Sequence, residues 1–354
     1  MTTANSLRWF RRAALLGAVL AAIVVVVGAW VRLTDAGLGC PDWPGCYGHA
    51  HPAQVAEHVA SANADYPSRP FDYRKAMHEM VHRYIATTLG VVIIGLAAYA
   101  FWNRGDPAQP RVLPFVALGV VCIQGALGAF TVTLLVVPLI VTLHLIGGLT
   151  TMALLWWLSL APARRDVKAA ERPVRRLALA ALAALALQIV LGGWTSSNYA
   201  AVACPDFPTC RGSYLPPADF RNAFVIWRGL GIDYEGGVLA TPARTAIHYV
   251  HRLGAVLAAA LLVALATAAW RRAQTQGVRL AAVALAAAVL VQWLIGMNLI
   301  WQGFPLSLGT AHNAGAVLLL AATLTLMRQL WPAGPDIGFT AAHGRRSTLP
   351  PRPA

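Results

Sequence analysis

Charge is scarce in this chain. Asp, Glu, Lys and Arg make up only 12% of its 354 residues, while 58% are hydrophobic. That balance excludes a soluble globular domain, which carries about 25% charged residues, and points to a membrane protein with several spans. Acidic residues are scarcest, 14 against 28 basic ones, for a formal charge of +14. The excess does not indicate nucleic acid, because it is concentrated in connections. Arg164, Arg165, Lys168, Arg172, Arg175 and Arg176 crowd one, Arg271, Arg272 and Arg279 another, and Arg104 and Arg111 flank a third. A clear small-residue cleavage site is missing after the first apolar run. Arg8, Arg11 and Arg12 therefore precede a retained anchor and not a removable signal peptide.

Eight apolar stretches are long enough to cross a bilayer, near 13–31, 79–102, 112–131, 138–160, 177–195, 245–270, 280–300 and 309–331. Eight spans put every basic cluster on the side of the N-terminus. The positive-inside pattern then predicts a bacterial cytoplasmic (inner) membrane with both termini cytoplasmic and the long connections after spans 1 and 5 external. The basic clusters also attract anionic lipids. Cysteines number five. Four fall in the external connections as Cys40/Cys46 and Cys204/Cys210, on an oxidising side where disulfides form. A Pro-stiffened loop of five residues holds two sulfurs within reach. A cycling dithiol and a four-Cys zinc site are the alternatives. Cys122 stands alone in span 3, where a small buried apolar residue is expected.

The chain repeats itself. Cys40-Pro-Asp-Trp-Pro-Gly-Cys46 returns as Cys204-Pro-Asp-Phe-Pro-Thr-Cys210, His82-Arg83 as His251-Arg252, Gln124-x-x-x-Gly128 as Gln292-x-x-x-Gly296, and His144 as His312, shifted by 164 to 169 residues. The expected fold is an all-α membrane protein of eight transmembrane helices. They form two tandem four-helix bundles related by a pseudo-two-fold axis along the membrane normal. The bundles are residues 1–165 and 166–331, followed by a disordered cytoplasmic tail, 332–354, with five prolines and no apolar face. No span pair carries a matched mid-membrane Pro or Gly break, which weighs against a transporter.

His82, His144, His251 and His312 all fall in the first turns of even-numbered spans, at one shallow depth on the external side. Ionisable residues inside spans mark functional sites. Pairs from facing helices, His82 with His144 and His251 with His312, can clamp a flat metal macrocycle, and haem iron accepts neutral imidazole from both faces. Arg83 and Arg252 each follow a ligand. They either bind haem propionates through the guanidinium fork or snorkel to the interface. Gly147, Gly148, Ala311, Ala314 and Gly315 give a planar group access to the backbone, or simply let helices pack closely.

His78-Glu79-Met80-Val81-His82 also matches the H-E-x-x-H zinc-protease signature. The repeat opposes it, because the second half reads Ile247-His248-Tyr249-Val250-His251, without a counterpart for His78. Glu79 aligns with His248. A carboxylate three residues before a ligand shares its helix face and suits proton transfer. The asymmetry places chemistry in the N-terminal half and cofactor binding in the C-terminal half. Simple pairing of Glu79 with Arg83 is the alternative.

Glu79-x-x-His82-Arg83, His144, His251-Arg252, His312 and the two loop cysteine pairs, set in duplicated four-span units, resemble the haem A synthase family, the CtaA-type membrane enzymes, over nearly the whole chain. The resemblance implies an oxidoreductase acting on a CH group. It converts the C8 methyl group of haem O to a formyl group by successive hydroxylations through a geminal diol. It further implies that His82 and His144 hold haem O as substrate, that His251 and His312 hold a haem b, and that Glu79 is catalytic. Partners implied are a haem O synthase, an electron acceptor or quinone, and a thiol–disulfide oxidoreductase, with a homo-oligomer left open. Some family members lack the cysteines, whereas this chain keeps both pairs. His78 and His248 depart from the pattern. The alternative function is a non-enzymatic di-haem carrier like a cytochrome b, and behind it a membrane zinc metalloprotease.

Overall fold

The computed structural model describes residues 3–161 and 170–331. The expected tail 332–354, together with Arg164, Arg165 and Lys168, lies outside the described residues. Eight helices among the described residues are long and apolar enough to cross a bilayer. They are α1 (Thr3–Leu33), α2 (Tyr73–Trp102), α3 (Leu113–Thr133), α4 (Pro138–Ser159), α5 (Arg172–Ser197), α6 (Thr241–Arg271), α7 (Gln276–Trp301) and α8 (Leu306–Leu330). Their starts follow local chemistry. Asp72 accepts from the Arg74 and Lys75 N–H groups ahead of α2, Thr275 accepts from Val278 N–H ahead of α7, and proline stands in the first positions of α3 to α6. Several helices therefore begin before their apolar stretch. His82 and His251 lie roughly two to three turns inside α2 and α6, deeper than the apolar windows suggest, while His144 and His312 lie in the second turn of α4 and α8, close to the expected depth.

In the first half α1 packs on α2 and α4, and α3 on α2 and α4. The second half repeats this, with α5 on α6 and α8, and α7 on α6 and α8. Contacts between halves run α1 to α8, α4 to α5 and α4 to α8. Buried side chains from all eight helices join one core, in which Ala14, Ala18 and Ala21 of α1 and Ala178 and Ala181 of α5 allow close approach. Large apolar side chains such as Leu16, Val91, Ile123 and Leu318 face outward, where lipid replaces the protein interior. Cys122 is also exposed. Its expected burial carries over a rule from water-soluble proteins that a lipid-facing surface does not enforce.

The connections after α1 and α5 carry short helices, Pro52–Ala56 and Val59–Asp65 in the first, a 3-10 turn at Ala201–Ala203 and Phe220–Ala223 in the second. These two connections also tie the halves together. Arg32 of α1 donates to Ser196 O at 2.8 Å and lies over the Tyr199 ring, and the Tyr199 hydroxyl donates to Asp35 at 2.8 Å. Burial, ahead of the opposing Arg32 charge, raises the Tyr199 phenol above its ordinary pKa. Arg69 pairs with both Asp233 and Glu235. Tyr234, 1% exposed, plugs the seam beside Leu38, Val132, Val136 and Val137. At the opposite end Trp156 Nε1 donates to Thr325 Oγ1 at 3.0 Å.

Candidate functional site

Each cysteine pair closes a small loop that rests on the helix carrying a repeated histidine, His82 or His251. Cys40 is bonded to Cys46 and Cys204 to Cys210, so neither pair is a set of zinc thiolates. Inside the first loop Asp42 accepts from Tyr47 N–H at 2.6 Å and Gly48 N–H at 2.7 Å. In the second, Asp206 accepts from Arg211 N–H at 2.5 Å and Gly212 N–H at 2.9 Å. The Thr209 hydroxyl, then these N–H groups, hold the Asp206 carboxyl below its ordinary pKa. Backbone pairing of Cys46 with His49, and of Cys210 with Ser213, finishes both loops alike.

Gly39 brings the first loop onto α2. A Cβ there would stand 2.5 Å from the backbone carbon of Lys75, so only glycine permits the approach. The result is that Cys40 N–H donates to Glu79 Oε2 at 2.8 Å, while Arg83 donates to Oε1 at 2.5 Å. Glu79 is 4% exposed. Arg83 also donates to the carbonyls of Gly45 at 2.5 Å, Asp42 at 3.1 Å and Pro44 at 3.2 Å. Arg252 repeats the clamp on Thr209 O at 2.8 Å and Cys204 O at 2.9 Å, and its Nε donates to His248 Nε2 at 3.2 Å. Both arginines thus hold loop carbonyls, and His248 occupies the place of Glu79 beside its arginine. The pairing of Glu79 with Arg83 is present, and the Cys40 bond adds to it.

The histidines meet in the expected pairs. The His82 and His144 ring centres are 6.5 Å apart at 84°, and those of His251 and His312 are 6.5 Å apart at 75°. Two imidazoles facing one metal with nitrogen–metal bonds of about 2 Å give ring centres roughly 6 Å apart. Each ring backs onto a glycine of a neighbouring helix. A Cβ would reach His82 Cε1 from Gly28 at 2.9 Å, His144 Cε1 from Gly128 at 3.3 Å, His251 Cε1 from Gly192 at 3.2 Å and His312 Cε1 from Gly296 at 3.2 Å. Buried Nδ1 atoms of His82 and His144 have no hydrogen-bond partner among the described residues. Two opposed imidazole pairs in glycine-backed clefts are a donor set that fits two haem irons.

A family model described as "Cytochrome oxidase assembly protein" matches residues 11–324. The chain is similar to "Heme A synthase" of Shewanella oneidensis, 38% identical over 92% of this chain and 97% of that protein. Proteins of the same name from Rhizorhabdus wittichii and Caulobacter vibrioides are 31% and 30% identical, over 88% and 84% of this chain and 90% and 89% of their own lengths. The chain belongs to the haem A synthase family. Its setting is haem A biosynthesis, and neither the electron-carrier nor the zinc-protease alternative finds support in these matches.

Several residues at the site carry no signal in the sequence pattern. Gly28 and Gly192 sit in apolar runs like many other span glycines, yet they back the His82 and His251 rings. Gly128 and Gly296 stand out in the sequence only as part of the repeated Gln-x-x-x-Gly. The small residues after His144 and His312 turn out to admit glutamine: Gly147 faces Gln124, and Gly315 faces Gln292. Gln188, which reaches His251 at 3.1 Å, has no repeat partner, so the duplication does not reveal it. Among the described residues no three His, Cys, Asp or Glu side chains converge as a metal cluster. His78 lies against the Trp30 ring.

Proposed function

We propose that this haem A synthase oxidises the C8 methyl group of haem O to a formyl group, with haem O held by His82 and His144 and a haem b held by His251 and His312. The observation that carries the assignment is the placement of Glu79, one turn before His82, where the equivalent residue beside His251 is His248. In net terms a methyl group and one water become a formyl group, four protons and four electrons. Two successive hydroxylations reach the geminal diol, and loss of water gives the aldehyde. Glu79 is the proton acceptor. Its two oxygens each take one fixed bond, from Cys40 N–H and from Arg83, which sets the carboxylate plane and leaves further lone pairs free. A haem b, when bound, supplies one-electron transfer.

Arg83 and Arg252 stand on the ligand helices where propionates would meet the external face, and binding them exchanges a loop carbonyl for a carboxylate. The cysteine loops lie outside and both termini inside, as the basic clusters require, in a bacterial inner membrane. The matched helix neighbours of the two halves support a pseudo-two-fold axis along the membrane normal. A haem O synthase supplies the substrate, an electron acceptor such as a quinone takes the electrons, and a thiol–disulfide oxidoreductase acts on the loop pairs.

Haem counting tests the division between halves. Purified from cells without haem O synthase, the protein should carry about one haem b per chain. Co-expression with haem O synthase should add a second, farnesylated haem and leave the haem b content unchanged. Haem O displacing haem b one for one would contradict two separate sites.

A further inference from the structure

The two halves differ in how they support their ligand rings. In the C-terminal half Gln188 of α5 places Nε2 3.1 Å from His251 Nδ1 and 3.1 Å from His251 O, and Gln292 of α7 places Nε2 3.3 Å from His312 Nδ1 and 3.1 Å from His312 O. The Oε1 atoms of both glutamines are buried and have no partner among the described residues. In the N-terminal half the Nδ1 atoms of His82 and His144 are buried and have no hydrogen-bond partner among the described residues. Gln124, the repeat partner of Gln292, packs on Gly147 as Gln292 packs on Gly315, a Cβ standing 1.7 Å from Gln124 Nε2 and 1.9 Å from Gln292 Oε1, so the change of side chain between the halves lies at Gln188.

Gln188 has no counterpart at all. Gly28 and Gly192 each back a ligand ring, which fixes the register of α1 on α5 and puts Val24 where Gln188 stands. The opposing helix changes with it. Gly254 faces Gln188, and a Cβ there would stand 2.4 Å from Gln188 Oε1. The equivalent of Gly254 is Ile85. A glutamine with glycine in one half is thus replaced by valine with isoleucine in the other.

We infer that Gln188 is a positioning residue that locks His251 as a permanent haem ligand, and that Val24 and Ile85 leave His82 unlocked so that the N-terminal half exchanges its haem at each turnover. The inference rests on the haem assignment proposed above. A histidine bound to iron through Nε2 carries a proton on Nδ1, and ligating histidines almost always give that proton to an acceptor, which fixes the ring and raises its basicity. Turning the amide over brings the partnerless Oε1 to Nδ1, at the loss of one contact to the histidine carbonyl. No glutamine can do this for His82. A resident cofactor calls for such a lock, and a substrate that must leave as product does not.

Haem transfer to apomyoglobin, together with the haem b midpoint potential, tests this in the full-length protein. Gln188→Val should speed loss of haem b by about 10-fold and raise its potential. Gln188→Glu, which keeps an acceptor at Nδ1, should retain haem b at the wild-type rate or slower and lower the potential. The pair Val24→Gln with Ile85→Gly should slow release of the N-terminal haem. Equal potentials and equal transfer rates in the Val, Glu and wild-type proteins would show that Gln188 only fills space, and would overturn the inference alone. A wild-type protein with no haem b would overturn the proposed function and this inference with it.

Discussion

Replacing Glu79 with glutamine is expected to leave the haems bound and to slow haem A formation by about 100-fold or more. The amide keeps the carboxylate shape but has a single accepting oxygen, so it keeps the bond from Arg83 or from Cys40 N–H and not both, while the bonds of Arg83 to the loop carbonyls keep the loop seated on α2. What it loses is the ability to take a proton. Leaving Arg83 without its counter-charge is the structural risk, since Arg83 is mostly buried beside Glu79. Three loop carbonyls accept from the same guanidinium and offset much of that loss. Extracted haems from the variant should be haem b with haem O or a partly oxidised haem. Wild-type amounts of haem A would remove Glu79 from the chemistry.

The second large effect is expected from the ligands, and it should divide by half. His251→Ala or His312→Ala should lose haem b to background while haem O remains bound, because the two rings face each other across 6.5 Å within the C-terminal half. His82→Ala or His144→Ala should retain haem b and form no haem A. Absorbance spectra and haem extraction read both outcomes. Each ring is backed by glycine, so shortening it to alanine opens a cleft without forcing neighbours apart. Loss of both haems from every variant, in protein that still runs as a folded species, would contradict two independent sites.

Much of the fold and of the site is legible in the amino-acid sequence because the relevant signals are local. Hydropathy marks spans wherever lipid is the solvent. Duplication picks out His82, His144, His251 and His312 directly, and the cysteine loops come with them. Depth is not legible in the same way, because α2 starts at its Asp72 cap and not at the edge of its apolar window. The loop clamp of Arg83 and Arg252 is hidden because its acceptors are backbone carbonyls, which no side-chain pattern encodes. Gln188 is hidden for the opposite reason: its importance lies in breaking the repeat. Cys122 shows that burial rules learned in water mislead on a lipid-facing surface.

The most direct measurement is extraction of haems from cells that co-express this chain with a haem O synthase. Haem A should accumulate at the expense of haem O with the wild-type protein. Haem O accumulating alone, beside a folded and membrane-inserted chain holding two haems, would contradict oxidation of the C8 methyl group and would favour a plain di-haem carrier.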